Sequence, residues 1–238
     1  MPRAERNGVD MGRYLEPKAV FLTTLLVVVY ASLDPVLGIG FGSGFDELSF
    51  ATLYSVGLLG ATAWVCFQLA ELREGAWRDG RFHARFLWRF LGWAFVFLAL
   101  DEALQIHENL DKLIHIVLAM EETAWTDSID DVILLSYGLA GLAILVRCRA
   151  EVFRVPAARR YLALAFGLFL VSVVFDVLTN RKAYLDWLEL EGQARDGVSA
   201  FAAIVEEGGK LFTGAALLVG FGSILRAGLE PVTPSVHQ

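Results

Sequence analysis

Six apolar blocks, each near the roughly 20 residues of helix that cross a bilayer's hydrocarbon core, limit what this chain can fold into. They lie at about 19–39, 50–70, 86–106, 131–147, 161–180 and 199–225. Hydrocarbon offers no water to an open backbone, so a spanning segment must pair its own N–H and C=O groups. Continuous apolar runs do this as helices, whereas a β-barrel is written in short segments of alternating polarity. The composition agrees, with 56% hydrophobic residues and a mean hydropathy of +0.53. The reading is an all-α membrane protein, a six-transmembrane-helix bundle occupying 19–226 between tails at 1–18 and 227–238. The polar start and the apolar run behind it have the outline of a signal peptide. That run continues through Val36, Leu37 and Ile39 without a small-residue cleavage site, so a retained first helix is expected.

Lys and Arg in short loops mark the cytoplasmic side. Arg3, Arg6, Arg13 and Lys18 precede the first block, and Arg73, Arg78, Arg81, Arg85 and Arg89 lie around the second linker. Arg147, Arg149, Arg154, Arg159 and Arg160 lie around the fourth linker, and Arg226 follows the sixth block. With six spans, both termini fall in the cytoplasm of a bacterial-type inner membrane. Most of the 27 acidic residues lie on the opposite side. Acids do little to set topology, so their asymmetry predicts a negative outer mouth that concentrates cations. The formal net charge of −7 argues against a nucleic-acid partner and leaves the lipid bilayer as the expected one. Cys66 and Cys148 fall on the reducing side and read as packing residues.

The third block continues as WAFVFLALDEALQIHENLDKLIH, from Trp93 to His115. A span entering at Phe86 puts Asp101 about 6 Å below the outer hydrocarbon edge. An ionisable group at that depth calls for a partner, a wet cavity or a metal. No Pro or Gly follows Gly92 before 118, so one helix is expected to run on past the surface. On such a helix Asp101, Glu108 and His115 recur every seventh residue and share a stripe with Asp111, with His107 at its margin. Glu102 then points elsewhere, toward a neighbouring helix. Asp34, Asp176, Glu206 and Glu207 sit at helix ends that alternating chain direction brings to the same outer level.

Three readings compete for this layer. In the first, His107 and Asp111 at i, i+4 in HENLD bind a divalent ion, zinc being the first candidate. Asp176, Glu206 or His115 complete the shell, and Glu108 and Asp101 act as catalytic carboxylates. This describes a hydrolase-like enzyme acting on a lipid or other small membrane-borne substrate. In the second, the acids serve a cation- or proton-coupled transporter. They stop in the outer third, however, with only Gln68 and Glu71 near the inner end of the second block. In the third, Glu206 and Lys210, in the favourable Glu-before-Lys order, anchor an ion-pair network reaching Asp101 or Asp176, and the chain is a non-catalytic subunit of a membrane complex. Among lesser features, the tryptophans suggest an interfacial belt, and 184–192 suggests a short interfacial helix. Gly208, Gly209, Gly214, Gly220 and Gly222 predict close packing of the last helix.

The stretch LALDEALQIHE (98–108) resembles a phrase in uncharacterised bacterial multi-pass membrane proteins. These carry a Leu-Asp-Glu near a helix end, a His-Glu shortly after, and a Glu-Glu-Gly start to the last helix. The matching residues here are Leu100, Asp101, Glu102, His107, Glu108, Glu206, Glu207 and Gly208. The resemblance supports the site and implies no reaction. The chain lacks the His-x-x-x-His pair of alkaline ceramidase-type intramembrane zinc hydrolases. HENLD also departs in its last residue from the HExxH of site-2 type metalloproteases.

Overall fold

The computed structural model of the protein describes residues 16–37, 45, 49–72, 84–118, 129–180 and 192–229, and the side chains at 34–37, 108, 130–131 and 177–180 fall outside that description. The described residues form eight helices and no strand. These are α1 (Pro17–Leu37), α2 (Phe50–Leu72), α3 (Ala84–Leu104), α4 (Ile106–Leu118), α5 (Ile129–Arg147), α6 (Arg149–Val152), α7 (Pro156–Asn180) and α8 (Gly192–Leu229). Among the described residues each of the six apolar blocks is helical, apart from Gln105 near the end of the third. Pro17 and Pro156 open α1 and α7, where the missing N–H would have had no helical partner.

Three helices among the described residues are long and apolar enough to cross a membrane: α2, α7 through Asp176, and α8. Over the residues whose side chains are described, α1 and α5 contribute the apolar stretches Pro17–Leu33 and Val132–Arg147. α3 carries Arg85, Arg89, Asp101 and Glu102 within its length, so its apolar stretch is flanked by charge at both ends. With 38 residues, α8 runs continuously through Glu206, Glu207 and Lys210. At 1.5 Å per residue it is about 57 Å long, roughly twice the hydrocarbon thickness.

α8 is the axis of the bundle. α1, α2 and α7 pack against it, α3 packs on α2, and α5 rests on α4 and α7. Small residues make this possible: Gly208, Gly209, Gly214, Ala215, Ala216 and Gly220 are all buried, and their lack of bulk lets backbones approach. The closest case is Gly209, where an added Cβ would overlap Ser172 Oγ. The Ser172 hydroxyl uses that space to donate to the Glu206 carbonyl at 2.7 Å. A second polar tie lies between α1 and α2, where Thr24 and Tyr54 hydroxyls meet at 3.0 Å. The main core lies lower, where the Phe221 ring meets Trp88 and Phe95 edge-on, both at 5.7 Å. Cys66 and Leu69 are buried in the same cluster.

Large apolar side chains also point outward, among them Leu22, Leu26, Phe86, Trp93 and Phe201. A water-facing surface rarely carries so many contiguous apolar groups. Trp88 departs from the expected belt. It is fully buried, and its indole N–H donates to Glu151 Oε1 at 3.2 Å, so packing and a hydrogen bond fix it rather than a headgroup layer. Trp64 and Trp93 are exposed. The remaining tryptophans, the 184–192 segment, His83 and His237 lie outside the described residues.

Candidate functional site

The single helix expected across 93–118 is two helices. It breaks at Gln105, whose φ of +52° lies in the left-handed region, at a cost of about 1–2 kcal/mol for a residue with a Cβ. No Gly or Pro marks the break; side chains stitch it from both sides. Asp101, near the end of α3, accepts the His107 backbone N–H at 2.8 Å through Oδ1. That N–H is one of the donors a helix start leaves without an internal partner, and a carboxylate is favoured there. Asn109 reaches back from α4 to donate to the carbonyls of Leu104 at 3.1 Å and Gln105 at 2.9 Å. Asp101 thus caps α4, and Asn109 caps α3.

The break re-registers every predicted group beyond it. The other Asp101 oxygen, Oδ2, lies 2.9 Å from His107 Nδ1. Asp101 is 3% exposed, so this contact is sheltered from water. A carboxylate only accepts, so Nδ1 carries the hydrogen, and in the neutral form of the ring the lone pair is then on Nε2. His107 and Asp111 keep their i, i+4 spacing on α4. Asp111 also faces His115 one turn on, with His115 Nδ1 3.1 Å from Asp111 Oδ1 and 3.0 Å from its carbonyl oxygen. His115 is buried, and its Nε2 has no hydrogen-bond partner among the described residues. The turn at Gln105 takes Asp101 out of the expected stripe, while Glu108, Asp111 and His115 keep their helical spacing on α4.

Asp101 and His107 line a cavity of about 640 Å³ bounded by α2, α3, α5, α7 and α8. Glu102 lines the same cavity, against the expectation that it points elsewhere, and so does Ser55 of α2. Lys210 of α8 lines it too. Its ammonium binds Glu206 at 3.0 Å and Glu207 at 2.8 Å, both on its own helix, and Asp176 of α7 adds its charge to this cluster. Beneath these groups the lining is apolar, including Leu91, Phe95, Leu142, Phe166, Leu217 and Phe221. The structure therefore gathers Asp101, Glu102, His107 and Lys210 directly, with Glu206, Glu207 and Asp176 behind Lys210. Asp111 and His115 form a separate pair on α4. The side chains of Asp34 and Glu108 lie outside the described residues.

Among the described residues, no group of three or more His, Cys, Asp and Glu side chains is placed to hold a metal ion. The three or four protein donors of a zinc site are not assembled by them. Sequence reasoning missed Ser55, Tyr137 and Thr213, which bring hydroxyls to the cavity wall. Each sits in an apolar block with no spacing signal. Asn109 was the one readable clue to the break, because Asn favours helix ends over interiors.

The helices and the cavity define a helical bundle with membrane-length helices around an internal pocket that is polar at one end. The chain belongs to the family defined by a domain of unknown function (DUF8692), whose model matches residues 19–225. No curated protein and no solved structure matches it.

Proposed function

We propose that this is a six-span inner-membrane protein with both termini in the cytoplasm, and that the Asp101–His107 pair performs acid–base chemistry on a membrane-borne substrate. The observation that carries the reading is the Oδ2–Nδ1 contact of 2.9 Å at the wall of a 640 Å³ cavity. A carboxylate bound to Nδ1 fixes the tautomer and orients the imidazole, as a general base requires. The cavity volume is in the range of small-molecule sites. Its mostly apolar wall suits a substrate drawn from the bilayer. Polar lining is concentrated at one end, with exposed Arg159 at the other, which favours a binding site over a path needing polar groups at successive depths.

The topology rests on the six helical blocks and the distribution of Lys and Arg. Reporter fusions at each terminus and in the 38–48 and 119–128 loops test it: the termini read cytoplasmic and the two loops external. The chemistry is tested by incubating the purified protein in lipid nanodiscs with ester- and amide-linked lipids and following products by mass spectrometry. Turnover that falls by 10²-fold or more in His107→Ala, while the variant stays folded, supports the reading. Assembly or stability loss with no turnover by the wild type points instead to a structural subunit. A divalent ion, zinc first, stays a proposal whose donors must include side chains outside the described set. Metal analysis of the wild type beside an Asp101→Asn, His107→Ala double variant decides it, and equal trace metal in both removes it.

A further inference from the structure

From the cavity we infer the class of its occupant: a single-chain amphiphile whose head group donates hydrogen bonds, an ammonium or a hydroxyl. The inference rests on the acid–base reading of the same site but concerns binding. Shape comes first. Leu91 to Asp101 along α3 spans about 15 Å, and Phe221 to Lys210 along α8 about 16 Å, and all four residues line the cavity. The pocket is thus elongated along the helix axes. It is lined by Phe, Leu and Gly through most of its length, with Asp101, Glu102, His107 and Lys210 at one end and the exposed Arg159 at the other. Such a space accepts an extended apolar chain with one polar terminus.

The head follows from the donor and acceptor inventory. Asp101 and Glu102 in their ionised forms only accept hydrogen bonds. Lys210 is the cation at this end, and two carboxylates already hold its ammonium. An anionic head would meet Asp101 and Glu102 in a low-dielectric space, where like charges repel most strongly. A donating head would find acceptors there. α5 forms one wall through Tyr137, Gly138, Gly141 and Leu142, rests on α4 and α7 and meets α3 through the Tyr137–Phe97 ring pair at 5.6 Å.

Gly141 offers the test. It lines the cavity, and a Cβ built there meets nothing within 4 Å, so a side chain can start from this position, and Gly141→Phe plugs the tail channel with Gly141→Leu as a smaller plug. Binding of labelled long-chain primary amine, alcohol and carboxylic acid of equal chain length is measured on protein in zwitterionic nanodiscs. The expected order is amine, then alcohol, with the acid at the level of empty nanodiscs. Gly141→Phe or Gly141→Leu abolishes the protein-dependent binding, and Glu102→Gln lowers that of the amine about tenfold, the worth of one charge-assisted hydrogen bond. Acid bound as well as amine, or amine bound equally by wild type and both Gly141 variants, overturns the inference. His107→Ala separates the two proposals: amine binding within about twofold of wild type with turnover lost supports both. Amine binding with no turnover by the wild type sinks the acid–base reading alone.

Discussion

Replacing Asp101 should release α4 from α3. Its carboxylate makes two hydrogen bonds, to the His107 N–H at 2.8 Å and to His107 Nδ1 at 2.9 Å. A hydrogen bond to a charged group contributes about 1.5–3 kcal/mol. Asp101 is 3% exposed, so screening by water takes little from that range. Asp101→Ala therefore removes at least about 3 kcal/mol from the closed arrangement of the α3–α4 corner, roughly a hundredfold in the opening equilibrium. The left-handed Gln105, no longer held from that side, adds its own tendency to relax. Amide hydrogen exchange in nanodiscs reads this directly, since local opening sets the exchange rate of each amide. The amides at the start of α4, His107 first, should exchange about 100-fold faster in Asp101→Ala, while those of α2 and α8 stay unchanged. Asp101→Asn keeps one acceptor oxygen and should fall between. Unchanged exchange at His107 in Asp101→Ala would refute the capping argument, and with it the geometric basis of the Asp101–His107 pair.

Gln105→Gly relieves the left-handed strain and should stabilise the protein by about 1 kcal/mol, seen as a raised thermal midpoint; a lowered one refutes the strain. Gly209→Ala drives a methyl into Ser172 Oγ and should destabilise by about 1–3 kcal/mol, with Gly209→Ala, Ser172→Ala recovering part of the loss in the same thermal assay. Lys210→Met leaves the carboxylates of Glu206 and Glu207 without their ammonium and should cost about 3 kcal/mol or more. Adding Glu206→Gln and Glu207→Gln should restore most of that midpoint, and no restoration would mean Lys210 acts through other contacts.

The helices were legible because their cause is local and one-dimensional. A run of apolar residues of bilayer length can satisfy its backbone only as a helix, and no partner need be known to see it. Small residues at Gly208, Gly209 and Gly214 likewise announced close approach without naming the helix that approaches. The site was legible in membership and only partly in pairing. Asp101, His107 and Lys210 stood out because charge is costly in lipid, and the Glu206–Lys210 contact was readable from its spacing along one helix, yet the contact of Asp101 with His107 depended on a break at Gln105. That break is held by Asp101 and Asn109, whose capping roles appear only once the chain has turned back on itself.

By composition and pattern alone, the chain determined that it forms apolar helices and that its acids concentrate toward one end of them. Tertiary structure decided that α8 is the axis, that Asp101 pairs with His107 and Asp111 with His115, and that Glu102 and Lys210 share a cavity with the first pair. The physical reason is range. Backbone satisfaction and burial of apolar surface act on any single segment, whereas a side-chain partner is chosen by distances of about 3 Å, and one turn of backbone at a single residue shifts those by more than their length.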